Sequence, residues 1–163
     1  MKLVIARHGK AEPDSPTGRD ADRRLTPLGE QQALWLGRRL LAQGFGEGVI
    51  LSSHAERARR TAEIIGDVLG LEAHLTPGLM IGRCASEALG VIQANHGHER
   101  LVLVGHNPTV SELAGILTHG LGCSHVGLRT GSAAIVELKG EPLPGIASLE
   151  EIIRLGDEGD EPA

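Results

Sequence analysis

Short apolar runs alternate along the chain with longer segments in which apolar residues recur at helical spacing. Residues 3–6, 49–51 and 101–104 are unbroken apolar runs of Val, Ile, Leu and Ala. Such runs suit strands buried on both faces, as in a parallel sheet. The helical spacing predicts helices from Thr26 to Gly44, Ser53 to Gly70, Ser86 to near Gly97 and Asn107 to Gly120. This alternation predicts a three-layer α/β/α sandwich with a mostly parallel, doubly wound sheet.

Start signals precede three of these helices. Thr26 is a suitable N-cap, and Pro27 fits the first helical position. Ser53 and Glu56 have the spacing of a capping box, so the second helix is expected to begin at Ser53. Asn107 as N-cap followed by Pro108 predicts the start of the last helix.

The C-terminal part of the chain carries weaker signals. Residues 73–75 predict a short strand, broken by the Thr-Pro-Gly sequence that follows. Residues 134–138 alternate toward their end, which predicts an edge strand near the C-terminus. The last dozen residues are acidic, contain Gly and Pro, and are expected to fray, most clearly over about 155–163. Residues 1–163 together predict one domain.

Composition narrows the classes of partner. Hydrophobic residues are 40% and charged residues 23%, as in globular proteins. Trp35 and Phe45 are the only aromatic residues, which argues against stacking on single-stranded nucleic acid. The net charge of -5 disfavours a broad phosphate-backbone partner, so an anion site must be local. Cys84 and Cys123 match no metal or disulfide spacing. With no signal peptide and no membrane span in the sequence, we expect a cytoplasmic protein. The sequence leaves the oligomeric state open, and a monomer is favoured.

Arginine and histidine residues lie where two of the predicted strands end. Arg7, His8 and Gly9 follow the first strand, and His106 follows the strand at 101–104. Ligands of open α/β sheets bind beyond the carboxyl ends of the strands. Arg57 falls in the first turn of a helix, where a cation is unfavourable unless an anion compensates it. Gly9 leaves room for an unusual backbone angle or for close approach to a ligand.

These groups favour a phosphoryl ligand. No Walker loop, dinucleotide fingerprint or nucleophile elbow is present, and no carboxylate cluster offers a metal site. Arginine forks match phosphate oxygens, and helix N-termini add to the positive field. The sequence therefore predicts a metal-free anion site in which two imidazoles meet two arginines.

The same residues carry a family resemblance that covers most of the chain. Arg7-His8-Gly9, then Ser52-Ser53 with Arg57-Ala58 and Thr61, then Gly105-His106-Asn107 resemble the motifs of the histidine phosphatase superfamily. Within it, the chain is similar to the small SixA-type phosphohistidine phosphatases. The features that favour this branch are the short length, Arg23 before Leu25-Thr26, and the sequence Thr130-Gly131-Ser132-Ala133-Ala134.

The resemblance implies a role for each of these residues. His8 would be the nucleophile that forms a covalent phosphohistidine, and Arg7 and Arg57 would clamp the phosphoryl oxygens. His106 would hydrogen-bond those oxygens, and Arg23 would supply a third positive group. Gly9 and Ser132 are also expected to bind the phosphate. No cofactor and no metal is implied.

One departure from the family pattern bears on the substrate. Larger relatives resemble one another in placing a glutamate after the third strand as an acid, whereas here no carboxylate lies between Glu72 and Glu87. An alkoxide leaving group needs a proton donor, and an imidazole leaves more readily. The expected substrate is therefore a phosphorylated histidine of a phosphotransfer protein. Glu12 or Glu87 could still supply a proton, so a small-molecule phosphomonoesterase stays open, as does a non-catalytic phospho-ligand or partner-binding domain.

Overall fold

A computed structural model describes residues 1–122 and 125–156 as one six-stranded mixed sheet covered by helices on both faces. The strands are β1 (Lys2–Arg7), β2 (Val49–Ser52), β3 (Ala73–Leu75), β4 (Arg100–Gly105), β5 (Ser132–Leu138) and β6 (Ala147–Arg154). The helices are α1 (Pro27–Ala42), α2 (Glu56–Leu69), α3 (Ala85–Ala94) and α4 (Thr109–His119). The predicted α/β/α class is confirmed. None of these helices is long and apolar enough to cross a membrane.

The strand order is β3-β2-β4-β1-β5-β6, and β1 to β4 are mutually parallel. Strand β5 is antiparallel to β1, and β6 is antiparallel to β5. Successive residues of β1 point to opposite faces, and both faces are buried. Leu3 and Ile5 pack with α3 and α4, whereas Val4 and Ala6 pack with α1 and α2. Double-sided burial explains why the sequence of β1 does not alternate with polar residues.

Helix α1 begins as its sequence predicts. Thr26 is the N-cap, its hydroxyl accepts a hydrogen bond from the Gly29 N–H, and Pro27 is the first helical residue. The predicted starts of two other helices are wrong. Helix α2 begins at Glu56 with Ala55 as its N-cap, and Pro108 occupies the N-cap of α4.

Competing hydrogen bonds explain both errors. The Ser53 hydroxyl accepts from the Ala55 N–H and contacts the His106 ring, so it does not cap α2. The Asn107 side chain accepts from the Ser111 hydroxyl and donates to the Leu128 carbonyl. The Ser53 and Asn107 side chains, which local spacing predicts to be caps, therefore hydrogen-bond to other groups instead of capping these helices.

The edge strand near the C-terminus exists, but it is β6 and not residues 134–138. Strand β5, which contains those residues, lies between β1 and β6. Strand β6 includes residues 152–154, which the sequence assigned to the frayed last dozen residues. A frayed segment can therefore begin only after Arg154. Residues 157–163 of the predicted acidic tail, and Cys123, lie outside the described residues.

Candidate active site

The two histidines lie side by side because the strands that precede them are neighbours in the sheet. Strands β1 and β4 are parallel, with Arg7 opposite Gly105. His8 and His106 are the next residues on each strand, and the His8 N–H donates to the Gly105 carbonyl over 3.2 Å. Their ring centroids are 5.2 Å apart. Matched positions in the sequence thus become one constellation at the carboxyl edge of the sheet.

A cleft of about 280 Å³ opens at this edge. It is lined by Arg7, His8, Lys10, Ala11, Arg23, Arg57, Ile81, His106, Asn107 and Thr130. Five of the seven residues predicted from the sequence are in this lining, and Gly9 and Ser132 are not. The lining holds three arginines, one lysine and two imidazoles but, in the described part of the chain, no carboxylate. Its charge is therefore positive although the chain carries a net charge of -5.

Hydrogen bonds define the tautomer of His8. Its Nδ1 lies 2.7 Å from the Gly9 carbonyl oxygen, which can only accept, so Nδ1 must carry the proton. Its Nε2 accepts a hydrogen bond of 3.3 Å from Nε of Arg57, a group that can only donate. The lone pair of His8 therefore sits on Nε2. This is the form of imidazole that can attack phosphorus.

The environment keeps the two rings uncharged. Burial, with the positive charges of Arg57 and Arg7 added to it, lowers the pKa of His8 to about 4. Burial, then the neighbouring His8 and Arg57, lowers the pKa of His106 to about 3. Both rings are only 6% exposed. At neutral pH the cleft thus contains two neutral imidazoles together with the positively charged arginine and lysine side chains of its lining.

Arg57, in the first turn of α2, donates three hydrogen bonds. Besides contacting His8, it donates from one terminal nitrogen to the Asp20 carbonyl over 2.8 Å. Its other terminal nitrogen donates to the Asp20 carboxylate over 3.0 Å. The anion that compensates the misplaced cation in this structure is therefore Asp20.

Asp20 joins two of the cleft arginines, a contact that no local sequence pattern predicts. One carboxylate oxygen accepts from Arg57 and the other accepts from Arg23 over 3.0 Å. Hydrogen bonds from Arg23 and then from Arg57 hold the pKa of Asp20 below its usual range. Arg23 also donates from Nε to the Glu12 carbonyl over 2.7 Å. The loop before α1 thereby brings Arg23 to the cleft.

Arg7 and His106 each have a buried nitrogen that makes no hydrogen bond within the described part of the chain. Arg7 donates to the Leu128 carbonyl over 3.3 Å, and its buried Nε has no partner among the described residues. His106 Nε2 lies 2.8 Å from the Ser53 hydroxyl, and in the same part of the chain its buried Nδ1 has none. Burial, with Arg57 and Arg154 adding repulsion, lowers the pKa of Arg7. Unsatisfied buried nitrogens at a cleft are available to a ligand.

Two residues predicted to bind phosphate, Gly9 and Ser132, lie outside the cleft lining and contact other parts of the protein. Gly9 donates its N–H to the Thr61 hydroxyl, and its φ is not positive. A Cβ at Gly9 would lie 2.5 Å from the Gly29 carbonyl oxygen, so the close approach is to α1 rather than to a ligand. Ser132 is 2% exposed, and its hydroxyl donates to the Arg129 carbonyl. Thr130, two residues earlier, reaches the cleft in its place.

Thr61 ties two parts of the site together. Its hydroxyl accepts from the Gly9 N–H and donates to the Arg57 carbonyl over 2.7 Å. The exit of β1, which carries His8, is thereby fixed to the first turn of α2, which carries Arg57. The sequence motif included Thr61, but only the long-range contact reveals what it does.

Within residues 1–122 and 125–156, no group of three or more His, Cys, Asp or Glu side chains could hold a metal ion. The charged groups that surround the His8 Nε2 are donors of hydrogen bonds. What the arrangement can do is receive an anion on its arginines and present a nucleophilic nitrogen to it.

Comparisons with known proteins point in the same direction. A family model described as the histidine phosphatase superfamily (branch 1) matches residues 3–80. An uncharacterized protein from Picosynechococcus is 33% identical over 149 residues, covering 83% of this chain and 88% of that protein. The structure of the protein histidine phosphatase SixA complexed with tungstate is 27% identical, with a TM-score of 0.82 over 94% of this chain and 97% of that one. A mycobacterial glucosyl-3-phosphoglycerate phosphatase bound to inorganic phosphate shares the fold, at 17% identity and a TM-score of 0.72, covering 92% of this chain and 95% of that one.

Proposed function

Since the chain belongs to the histidine phosphatase superfamily and is a phosphatase with a SixA-like fold, we propose that it removes the phosphoryl group from phosphohistidine in a protein. His8 is the nucleophile, and the reaction passes through a covalent phosphohistidine on its Nε2. The observation that carries the proposal is the composition of the cleft. Its described lining gathers three arginines and two neutral imidazoles and contains no carboxylate to protonate a leaving alkoxide.

The first step transfers the phosphoryl group to the enzyme. The arginines neutralise the phosphoryl oxygens, so the neutral His8 Nε2 can approach phosphorus. The Nε–H of Arg57 exchanges its contact with His8 Nε2 for one with a phosphoryl oxygen. A bond forms between His8 Nε2 and phosphorus while the bond from phosphorus to the substrate nitrogen breaks. A phosphoimidazole protonated on its other ring nitrogen leaves as neutral imidazole, and no general acid is required.

The second step releases phosphate. Water attacks phosphorus, a new phosphorus–oxygen bond forms, and the bond to His8 Nε2 breaks. Both protons of the water stay with the product, which leaves as dihydrogen phosphate, and His8 returns to its neutral form. Throughout, the Gly9 carbonyl accepts from His8 Nδ1 and stabilises the positive charge that the ring carries when it is phosphorylated.

Asp20, whose carboxylate contacts Arg57 and Arg23, is a candidate for a general acid, but its chemistry disfavours that role. The two arginines hold its pKa low, so it is a carboxylate and not an acid at neutral pH. The reaction that needs no acid is the cleavage of a phosphoramidate. SixA is described as a protein histidine phosphatase, and the similarity to it supports the same substrate class here.

A substrate comparison tests the proposal. Purified protein is given a phosphohistidine-containing phosphotransfer protein and, separately, the alkyl ester phosphoserine, whose alkoxide needs a proton to leave, with phosphate release as the measurement and His8→Asn as the control. We expect the higher kcat/KM with the phosphohistidine protein. A higher kcat/KM with the ester would identify a phosphomonoesterase, and binding without release would identify a non-catalytic domain. The cytoplasmic location expected from the sequence stays a prediction that cell fractionation can test.

A further inference from the structure

The Ser53 side chain lies where β2 ends, beside the ring of His106. The Ser53 N–H donates to the Val104 carbonyl, which places its hydroxyl at the carboxyl edge of the sheet. Ser53 is 0% exposed and its Oγ lies 2.8 Å from His106 Nε2. Both partners are buried, so the direction of this hydrogen bond decides where His106 carries its proton.

The other contact of the hydroxyl determines that direction. The Ala55 N–H donates to Ser53 Oγ over 3.2 Å, and a backbone N–H cannot accept. Among the described residues, His106 Nε2 is then the acceptor available for the hydroxyl proton. If Nε2 instead donated to Oγ, the hydroxyl proton would be buried without an acceptor. Such an unpaired group is costly, so the bond runs from Ser53 to His106.

We propose that Ser53 is a positioning residue that fixes His106 as the neutral tautomer protonated on Nδ1. In that tautomer Nδ1 is a hydrogen-bond donor, and it is the nitrogen of His106 that has no partner among residues 1–122 and 125–156. His106 lines the cleft and its ring lies 5.2 Å from that of His8. The Nδ1–H is thus a donor reserved for the phosphoryl oxygens. The opposite tautomer would present a lone pair to an anion and repel it.

The assignment explains how an uncharged ring serves an anion site. Burial lowers the pKa of His106, so its help to a phosphoryl group comes from a directed N–H rather than from a positive charge. Ser53 supplies the direction. This role in catalysis rests on the proposed phosphatase mechanism, whereas the tautomer itself is a property of the free protein.

Nuclear magnetic resonance tests the tautomer without any substrate. Protein labelled with ¹⁵N in its histidine rings is compared with a His106→Gln variant to assign the His106 signals. We expect the Nδ1 signal of His106 to have the shift of a protonated nitrogen and the Nε2 signal that of an unprotonated one. A wild-type ring protonated on Nε2 would overturn the proposal, whatever the protein hydrolyses.

Variants test the consequence for anion binding and turnover. Ser53→Ala should weaken vanadate binding and lower kcat/KM about tenfold, as expected when a buried hydrogen bond is removed. Ser53→Thr keeps the hydroxyl and should restore both. Ser52→Ala is the matched control, because the Ser52 hydroxyl is equally buried but donates to the Ser53 carbonyl and not to His106.

The outcomes separate the two hypotheses. Ser53→Ala with the vanadate affinity and kcat/KM of Ser52→Ala would overturn the role of Ser53. If Ser53→Ala fails to fold, the wild-type spectrum and the Ser53→Thr variant still decide: a His106 ring protonated on Nδ1 and wild-type affinity in Ser53→Thr support the proposal. If the ring is protonated on Nδ1 but no phosphorylated substrate is turned over, the proposed function fails while the tautomer assignment stands.

Discussion

Replacing Arg57 by alanine should separate activity from stability. In the wild type, Nε of Arg57 lies 3.3 Å from the nucleophilic Nε2 of His8, and the side chain is 6% exposed. A phosphoryl group on His8 would therefore lie against the guanidinium. Loss of one preorganised charge contact to a transition state lowers kcat by roughly 10²–10³. We expect Arg57→Ala to lower kcat/KM by at least about a hundredfold.

The stability of the ligand-free protein should change much less, because the contributions of Arg57 oppose one another. Its ion pair with Asp20, whose carboxyl is 55% exposed, contributes up to ~1 kcal/mol after screening by solvent. Its hydrogen bond to the Asp20 carbonyl adds ~1 kcal/mol. Removing a cation from the first turn of α2 returns about 0.3–1 kcal/mol. The net loss is about 1 kcal/mol, or roughly 2–4 °C in Tm for a chain of this length.

Thermal melts with and without inorganic phosphate or vanadate are the assay. At an anion concentration 100 times its Kd, linkage stabilises the wild type by about 2.7 kcal/mol, a rise of roughly 5–10 °C in Tm. Arg57→Ala should show little of this rise. Arg60→Ala is the control, since Arg60 is on the same helix and pairs with Glu63 away from the cleft. If Arg57→Ala melts far lower without ligand yet keeps its activity, Arg57 is a structural ion-pair residue and the reasoning is refuted.

Three further predictions concern protonation, metals and packing. An NMR titration should give pKa values near 4 for His8 and near 3 for His106. Because both values lie below the pKa near 6.5 of histidine in the unfolded chain, the free energy of unfolding should fall as the pH drops from about 6.5. Titration of both rings near 6.5 would contradict their burial. EDTA should leave phosphate release unchanged, and a loss restored by a divalent ion would refute a metal-free mechanism. Gly9→Ala should cost about 1–3 kcal/mol because its Cβ would meet the Gly29 carbonyl. Gly90→Ala, where no described residue outside its own helix lies within 4 Å of an added Cβ, should be neutral or stabilising, and equal melting temperatures for the two variants would disprove the clash.

Much of the sheet and the paired histidines could be predicted because each depends on local pattern. The apolar runs of β1 and β4 predict buried parallel strands, and residues that directly follow parallel strands lie at one edge of the sheet. The pairing of these two strands with each other comes from the structure. Arg57 was identified by its unfavourable place at a helix start. These inferences needed no knowledge of distant contacts.

What the sequence did not reveal depends on contacts distant along the chain. Nothing in the local sequence indicates that the Asp20 carboxylate bridges Arg23 and Arg57. Ser53 has the spacing of a helix cap, yet its hydroxyl forms a hydrogen bond with the ring of His106, which is distant in the sequence. Strand β6 has exposed and buried residues without regular alternation, and it is defined by its pairing with β5.

The most direct test of the account is the identity of the phosphorylated intermediate. A brief reaction with a phosphohistidine substrate is quenched in base, and the labelled residue and ring nitrogen are determined by peptide mapping and ³¹P NMR. Since His8 Nδ1 is held by the Gly9 carbonyl, we predict an acid-labile phosphoryl group on Nε2 of His8, absent in His8→Asn. An acid-stable label on Ser52 or Ser53, or a phosphoryl group on Nδ1 of His8, would contradict the account.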